Sequence, residues 1–408
     1  MIRVVFLVRN YYPELTGIAP YATAMSEHLA KKGFDVTVVT SFPHFPEWHI
    51  HKRYKGKMFM RERLNGVEVL RYYVFVPSPH RALNRIVYEL SFSVSSLAFI
   101  FYARRCDIIW CISPPITLGL TAYLLSLIKR VPFILEIRDL VAGAALATGM
   151  LRKGMFVRML GKIERFVYDK ATAISVISKG FAENLHSKGV LESKIHLIPN
   201  WIDLEFVRPL ERNNIFRKLQ GISEGQFVIM FSGAMGKKDN LGTILDAAAL
   251  LREYKDILFM LIGEGIQKSH LMERAQRMGL PNIRFLPLQP KEIFPYVLSA
   301  ADVLIVSYYN SVVDFCMPSK VLTYMASARP LVVAAHPESE TAKTVQEAEA
   351  GLLVEPENPN AIVKSILELR DSDELRQRLG LNGRSFVSNH FEKSKVLKQF
   401  EELILAFA

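Results

Sequence analysis

Short apolar runs alternate with longer amphipathic ones along nearly the whole chain. In the first half the apolar runs cover 3–8, 35–40, 67–71, 107–112, 133–137, 172–177 and 194–198. Between them lie stretches with helical periodicity, at 19–32, 83–104, 118–129, 154–170 and 180–188. Buried strands separated by helices predict parallel pairing with right-handed crossovers. After a turn-rich segment, 199–209, the pattern restarts. Strands are predicted at 227–232, 257–262, 283–286, 303–307, 331–335 and 351–354, with helices at 241–252, 267–278, 291–300, 319–328, 339–347 and 361–369. Three helical segments follow (about 373–380, 382–389 and 394–407), the last placed to pack back on the first domain. The expectation is an α/β protein of two doubly wound, Rossmann-like domains. They span 1–205, joined by a C-terminal helix at about 391–408, and 206–390. Ligands of such sheets bind at the carboxyl ends of strands, so the active site is expected between the domains.

A length of 408 residues agrees with two cores, and half the residues are hydrophobic. Three cysteines (Cys106, Cys111 and Cys316) make neither a disulfide framework nor a zinc site, which suits a reduced cytoplasm. Met1 leads directly into a strand, so no signal peptide is expected. The net charge of +11 favours an anionic partner. Much of the excess lies in HIHKRYKGKMFMRER (49–63), where basic side chains interleave with Tyr54, Met58, Phe59 and Met60. No nucleic-acid-binding pattern accompanies it, which argues against nucleic acid as a partner. The segment suits a lipid headgroup region, or else it is an ordinary solvated loop. The run 90–103 is too short to span a bilayer, and Pro114-Pro115 interrupts 108–128. Peripheral attachment is the expectation.

Chemistry concentrates in MPSKVLTYMASARPLVV (317–333), read as a loop, a helix capped by Ser319, and a strand. Unpaired N–H groups and the helix dipole favour a phosphate oxygen there, and Lys320 adds a charge in the first turn. A solvated lysine at a helix start is the other reading. Thr16-Gly17, after the first strand, is either a close-approach glycine or a simple turn. FSGAMGKKDN (231–240) has the ingredients of a phosphate cradle: Gly233, Gly236, Lys237 and Lys238. Arg138 and Asp139 end the strand in ILEIRDL, as a structural ion pair or as site residues. The three-glycine dinucleotide fingerprint and the Walker lysine motif are both absent, which excludes redox and ATPase readings.

The order YYPELTG, SPPITLGLTAYLL, ILEIRDL, SVISKGF, LIPNWID, FSGAMG, LIGEG, ADVLIVS, MPSKVLTYMASARPLVV, GLLVEPENP resembles the family 4 glycosyltransferases. Within them it is similar to the branch of bacterial O-antigen and colanic-acid exopolysaccharide assembly. The resemblance implies a GT-B fold of two facing Rossmann-like domains. It further implies retaining transfer from a nucleotide diphosphate sugar, UDP or GDP type, with no catalytic metal or other cofactor. By position, Gly17 would approach the donor phosphate and sugar from the first domain. Gly233, Lys238, Ser319 and Lys320 would meet the diphosphate, and Glu264 would line the nucleoside pocket. Arg138 would stand where many relatives place a histidine facing the sugar, with Asp139 beside it.

The chain departs from that pattern at several points. Many relatives carry two glutamates seven residues apart. Here the second falls near Thr323, whose hydroxyl can still bond a ribose, and the first near Asp314 or Phe315. An arginine usual beside the diphosphate lysine is Ala234, with Lys237 placed to compensate. Val141-Ala142 replaces the Trp-Pro that usually follows RDL. The expected acceptor is a polyprenyl-diphosphate-linked saccharide, used by an enzyme peripherally bound at the inner face of the cell membrane. A nucleotide-sugar epimerase on the same frame, or a non-catalytic scaffold of a polysaccharide assembly complex, are the alternatives.

Overall fold

The structure, a computed structural model, describes residues 1–77, 82–102, 105–139, 155–313 and 319–408. It divides into two units, Met1–Ile198 with Leu397–Ala408, and Pro199–Val396. The first is built on eight strands: β1 (Arg3–Leu7), β2 (Asp35–Ser41), β3 (Phe59–Leu64), β4 (Val67–Tyr72), β5 (Ile108–Ser113), β6 (Phe133–Ile137), β7 (Ala173–Val176) and β8 (Ile195–Leu197). Their order is β3-β4-β2-β1-β5-β6-β7-β8, and only the β3–β4 pair is antiparallel. The direction of winding reverses between β1 and β5, so a crevice is expected beyond their carboxyl ends.

The second unit repeats the plan with β9 (Phe227–Ser232), β10 (Ile257–Ile262), β11 (Ile283–Leu286), β12 (Val303–Ser307), β13 (Leu331–Ala334) and β14 (Gly351–Val354). All are parallel, ordered β11-β10-β9-β12-β13-β14, with the reversal between β9 and β12. Side chains alternate between two cores, one on each sheet face. On β9, Val228 and Met230 enter one core, and Phe227, Ile229 and Phe231 the other. Burial on both faces explains why these strands read as unbroken apolar runs.

The structure departs from the sequence reading in four places. The basic stretch is neither all loop nor uniformly exposed: Phe59–Leu64 forms edge strand β3, and Tyr54 is buried against Phe42 and the Arg71 guanidinium. The helical run at 83–104 is an α-helix, Ala82–Ser96, followed by a 3₁₀ turn, Leu97–Phe101. The segment after 373 is one helix, Asp373–His390, and not two. Its Gly380 and Gly383 do not break it. A Cβ at Gly380 would stand 2.4 Å from the Ala328 carbonyl oxygen, and one at Gly383 3.0 Å from Ala350 Cβ, so both glycines serve close packing. The helix at 319 ends at Ala326, and Ala328 turns left-handed (φ 54°) before Pro330.

The last helix, Lys393–Phe407, contributes its Leu397–Ala408 part to the first unit. Phe400 meets Trp110 edge-on with ring centres 5.2 Å apart, and Glu401 lies 3.0 Å from His28. Among the described residues, no helix is long and apolar enough to cross a membrane.

Candidate functional site

In the second unit the winding reversal brings three loops together. The segment after β9 is fastened on both sides. The Gly233 and Met235 amides donate to the Ile262 and Glu264 carbonyls, each at 2.9 Å, and the Asn240 amide to the Ser307 carbonyl at 2.9 Å. Gly263 makes this contact possible. It has φ 147°, and a Cβ there would lie 1.9 Å from the Gly233 carbonyl oxygen. The loop after β9 therefore lies backbone-to-backbone on the loop after β10.

Lys320 enters this corner from the helix Ser319–Ala326. Its ammonium is 2.9 Å from Asp239 Oδ1 and 4.0 Å from the centre of the Phe231 ring. The stem occupies the space a side chain at Gly233 would need, since a Cβ there would be 2.8 Å from Lys320 Cε. Gly233 thus makes room for the lysine itself. Asp239 is buried, and its other oxygen accepts the Gly236 amide at 3.0 Å. Burial pushes the Lys320 ammonium below the usual lysine range; Asp239 opposes that shift and Lys238 adds to it. Lys238 is exposed, its Nζ 5.4 Å from the Tyr308 ring centre. The result is two cations and one carboxylate at the reversal point, a local excess of positive charge suited to an anion.

The other expected residues have clear places. Ser319 is exposed at the first position of its helix, and Thr323 Oγ1 donates to the Ser319 carbonyl at 2.7 Å, leaving its lone pairs to accept. The Glu264 carboxylate is solvent-facing and pairs with Lys268 at 2.7 Å. Two residues not singled out from the sequence are central. Asp239 anchors the lysine. Tyr324, fully buried, accepts the Ser232 amide at 2.7 Å and donates to the Ser232 carbonyl at 2.9 Å, locking the helix to the end of β9. Burial drives its phenol well above the usual range, so it stays a neutral donor.

In the first unit, Gly17 (φ 65°) is exposed just before the helix Ala19–Lys31. Arg138 directly follows β6 and leans on that helix, its guanidinium carbon 4.3 Å from the Tyr21 ring centre. Arg138 is buried, with Nε 2.6 Å from Glu136 Oε1. Glu136 is wholly buried and also accepts Trp110 Nε1–H at 2.7 Å. Asp139 is exposed at the strand end. Beside Thr16 a concavity of about 670 Å³ is lined by Glu14, His44, His49, His51 and Arg53. Glu14 holds its shape by accepting the His44 and Phe45 amides at 2.8 and 2.9 Å. Residues 140–142, 314, 315, 317 and 318 lie outside the described residues. Among the described residues, no three His, Cys, Asp or Glu side chains cluster as metal ligands.

A family model described as "Glycosyl transferase 4-like domain" matches residues 16–201, and one described as "Glycosyl transferases group 1" matches 212–386. The chain belongs to the family 4 glycosyltransferases. The boundary between the two matches falls close to the boundary between the two units. This glycosyltransferase is 28% identical to the glycosyl transferase WcaI of Escherichia coli (strain K12), named for colanic acid biosynthesis, over 96% of this chain and 97% of that one. It is 24% identical to a Campylobacter jejuni transferase of N-acetylgalactosamine to N-acetylgalactosamine-N,N'-diacetylbacillosaminyl-diphospho-undecaprenol, over 63% of this chain and 66% of that protein. The crystal structure of Anabaena Alr3699/HepE in complex with UDP-glucose shares the fold with a TM-score of 0.71 at 14% identity, covering all of both chains. The architecture is thus that of GT-B glycosyltransferases.

Proposed function

We propose that this glycosyltransferase moves a sugar from a UDP- or GDP-sugar, with retention and without a metal, to a polyprenyl-diphosphate-linked saccharide. It would do so in the cytoplasm, at the inner face of the membrane. The carrying observation is Lys320, a half-buried ammonium held by Asp239 at the β9/β12 reversal point. The Anabaena complex with UDP-glucose and the undecaprenol-linked substrate of the Campylobacter relative support the donor and acceptor classes.

Asp239 takes one of the three ammonium donors of Lys320, and two are available to a diphosphate. Lys238 and the amides opening the Ser319 helix add to the same anion site, and Gly17 of the first unit is assigned to the donor. The Glu264 loop and the Thr323 hydroxyl serve the nucleoside. In the reaction, an acceptor hydroxyl oxygen bonds to the anomeric carbon as the bond from that carbon to the diphosphate oxygen breaks. The departing oxygen takes the hydroxyl proton on the same face, which leaves the configuration unchanged. Negative charge grows on the diphosphate, and fixed positive groups around it lower the barrier. Arg138 and Asp139 orient the sugar.

Isothermal titration with UDP and with GDP tests the donor assignment. Heat with one and a raised melting temperature in its presence are expected. No heat with either overturns it. Product analysis by NMR with donor alone separates transfer from isomerisation, since a transferase yields no epimerised nucleotide sugar.

A further inference from the structure

Three helices of the first unit, Ala82–Ser96, Thr117–Lys129 and Met155–Lys170, pack side by side. Some of their mutual contacts are small or polar. Ser93 Oγ lies 2.9 Å from Thr117 Oγ1, Thr121 Oγ1 donates to the Ser93 carbonyl at 2.8 Å, and Gly119 sits under Val167. A second set of large apolar side chains points outward. Val87, Leu90 and Val94 form a stripe at spacings of three and four, with Val94 64% exposed. Leu124, Leu127 and Ile128 repeat it on the next helix, with Leu127 55% exposed. Met159 and Phe166 continue it on the third, where Phe166 meets Tyr123 with ring centres 5.2 Å apart.

These outward side chains come in addition to an ordinary buried face that includes Tyr88, Phe92, Leu118, Leu125 and Val167, and an exposed apolar face of this kind marks an interaction site. Its charge identifies the occupant. Arg158, Lys162 and Arg165 line the third helix beside Met159 and Phe166, and Arg130 stands exposed at the end of the second. The acidic groups are engaged elsewhere: Glu164 is buried against Lys188 at 3.2 Å, and Glu89 pairs with Arg9 at 2.6 Å. Asp169 is the exposed acid on the third helix. A second copy would set like charges against each other, whereas anionic headgroups over inserted apolar side chains match both features. We propose that this three-helix face docks on an anionic lipid bilayer, resting on the reading that the acceptor is lipid-linked. It supplants the 49–63 segment as the main anchor, because that segment gives Tyr54 to the core and 59–64 to the sheet.

The test is sedimentation of the full chain with vesicles of phosphatidylglycerol and phosphatidylethanolamine, and with phosphatidylcholine alone. Wild-type protein should partition strongly to the first and weakly to the second. Val94→Glu/Leu127→Glu/Met159→Glu should lose about tenfold or more of that partition. Arg158→Glu/Lys162→Glu, a milder change that guards against misfolding of the triple variant, should also lose most of it. Neutralising Lys52, Arg53, Lys55 and Lys57 should matter less. Unchanged binding by both helix variants, equal binding to neutral vesicles, or a wild-type dimer dissolved by the triple variant overturns the proposal. Sugar transfer to a short-chain acceptor in detergent is read in parallel. Its persistence when vesicle binding is lost upholds docking. Vesicle binding with no transfer from any donor refutes the transferase reading alone.

Discussion

A lysine held by a buried aspartate can be catalytic or merely structural, and a double substitution separates the two. In Lys320→Met the stem still fills the space over Gly233 and Phe231, but Asp239 keeps only the Gly236 amide. Stranding one partner of a buried ion pair costs roughly 3–5 kcal/mol when both are fully enclosed. The Lys320 side chain is 16% exposed and the amide bond survives, so about 2–3 kcal/mol is expected. In a unit spanning Pro199–Val396 this lowers the melting temperature by about 5–10 °C. Adding Asp239→Asn removes the stranded charge while its amide oxygen can still accept from Gly236. The double variant should recover to within about 1 kcal/mol of wild type, because replacing both partners is far cheaper than removing one.

Turnover should behave differently. Loss of a fixed positive donor to the leaving diphosphate costs about 10²- to 10³-fold in kcat, by analogy with loss of a single oxyanion donor. That loss should be the same in Lys320→Met and in the double variant. Urea unfolding and steady-state transfer assays on the three proteins read both quantities. A double variant that regains turnover along with stability makes Lys320 structural, and so does a Lys320→Met enzyme with near-wild-type kcat.

Other outcomes follow from the same geometry. Gly263→Ala sets a methyl group 1.9 Å from the Gly233 carbonyl at φ 147° and should cost roughly 3–5 kcal/mol with loss of nucleotide binding; a melting temperature unchanged in differential scanning calorimetry refutes the loop packing. Arg138→Ala leaves wholly buried Glu136 with Trp110 as its remaining named donor, a loss of about 3–5 kcal/mol in urea unfolding that Glu136→Gln should largely reverse. Burial depresses the Lys320 pKa, and a bound diphosphate favours the charged form, so UDP binding should take up a proton and weaken as pH rises through the free-protein value. Calorimetry in buffers of different ionisation enthalpy between neutral pH and about pH 10 reads this, and an absence of uptake throughout contradicts it. Burial also lowers the His44 pKa. The unfolded chain then binds the extra proton, so stability is intact above about pH 6.5 and falls with acidification below it. His44→Gln should flatten that fall in urea titrations, and an unaltered slope disproves the assignment.

What the sequence made legible follows from burial. Parallel strands covered on both faces appear as apolar runs, and their alternation with helices gave both sheets. Strand β3 escaped because FMRERL lies on a sheet edge with Phe59, Arg61 and Arg63 outward, and the partner that makes Glu62 tolerable is buried Arg71 on β4. The helix Asp373–His390 reads as two segments in the sequence, and the close packing of its Gly380 against Ala328 is visible only in three dimensions. Asp239 and Tyr324 were hidden for a related reason: their partners stand 81 and 92 residues away in the chain. The sequence reading sets Arg138 beside Asp139 and passes over Glu136, although residues two apart along extended chain share a face.

Around Lys320 the chain violates its own local rules. A lysine in the first turn of a helix opposes the dipole. Burying it adds a desolvation cost, and Lys238 nearby adds repulsion. One carboxylate, Asp239, offsets these without cancelling them, as the depressed pKa shows. A core selected for stability alone would place an uncharged side chain over Phe231, and Gly233 would not need to surrender its Cβ. Lys320 and the exposed Lys238 hold positive charge at this corner. A diphosphate entering there would satisfy the helix amides, favour the charged form of the ammonium and neutralise the repulsion in one step. Strain concentrated at a single point and relieved by a single ligand is what a binding site requires.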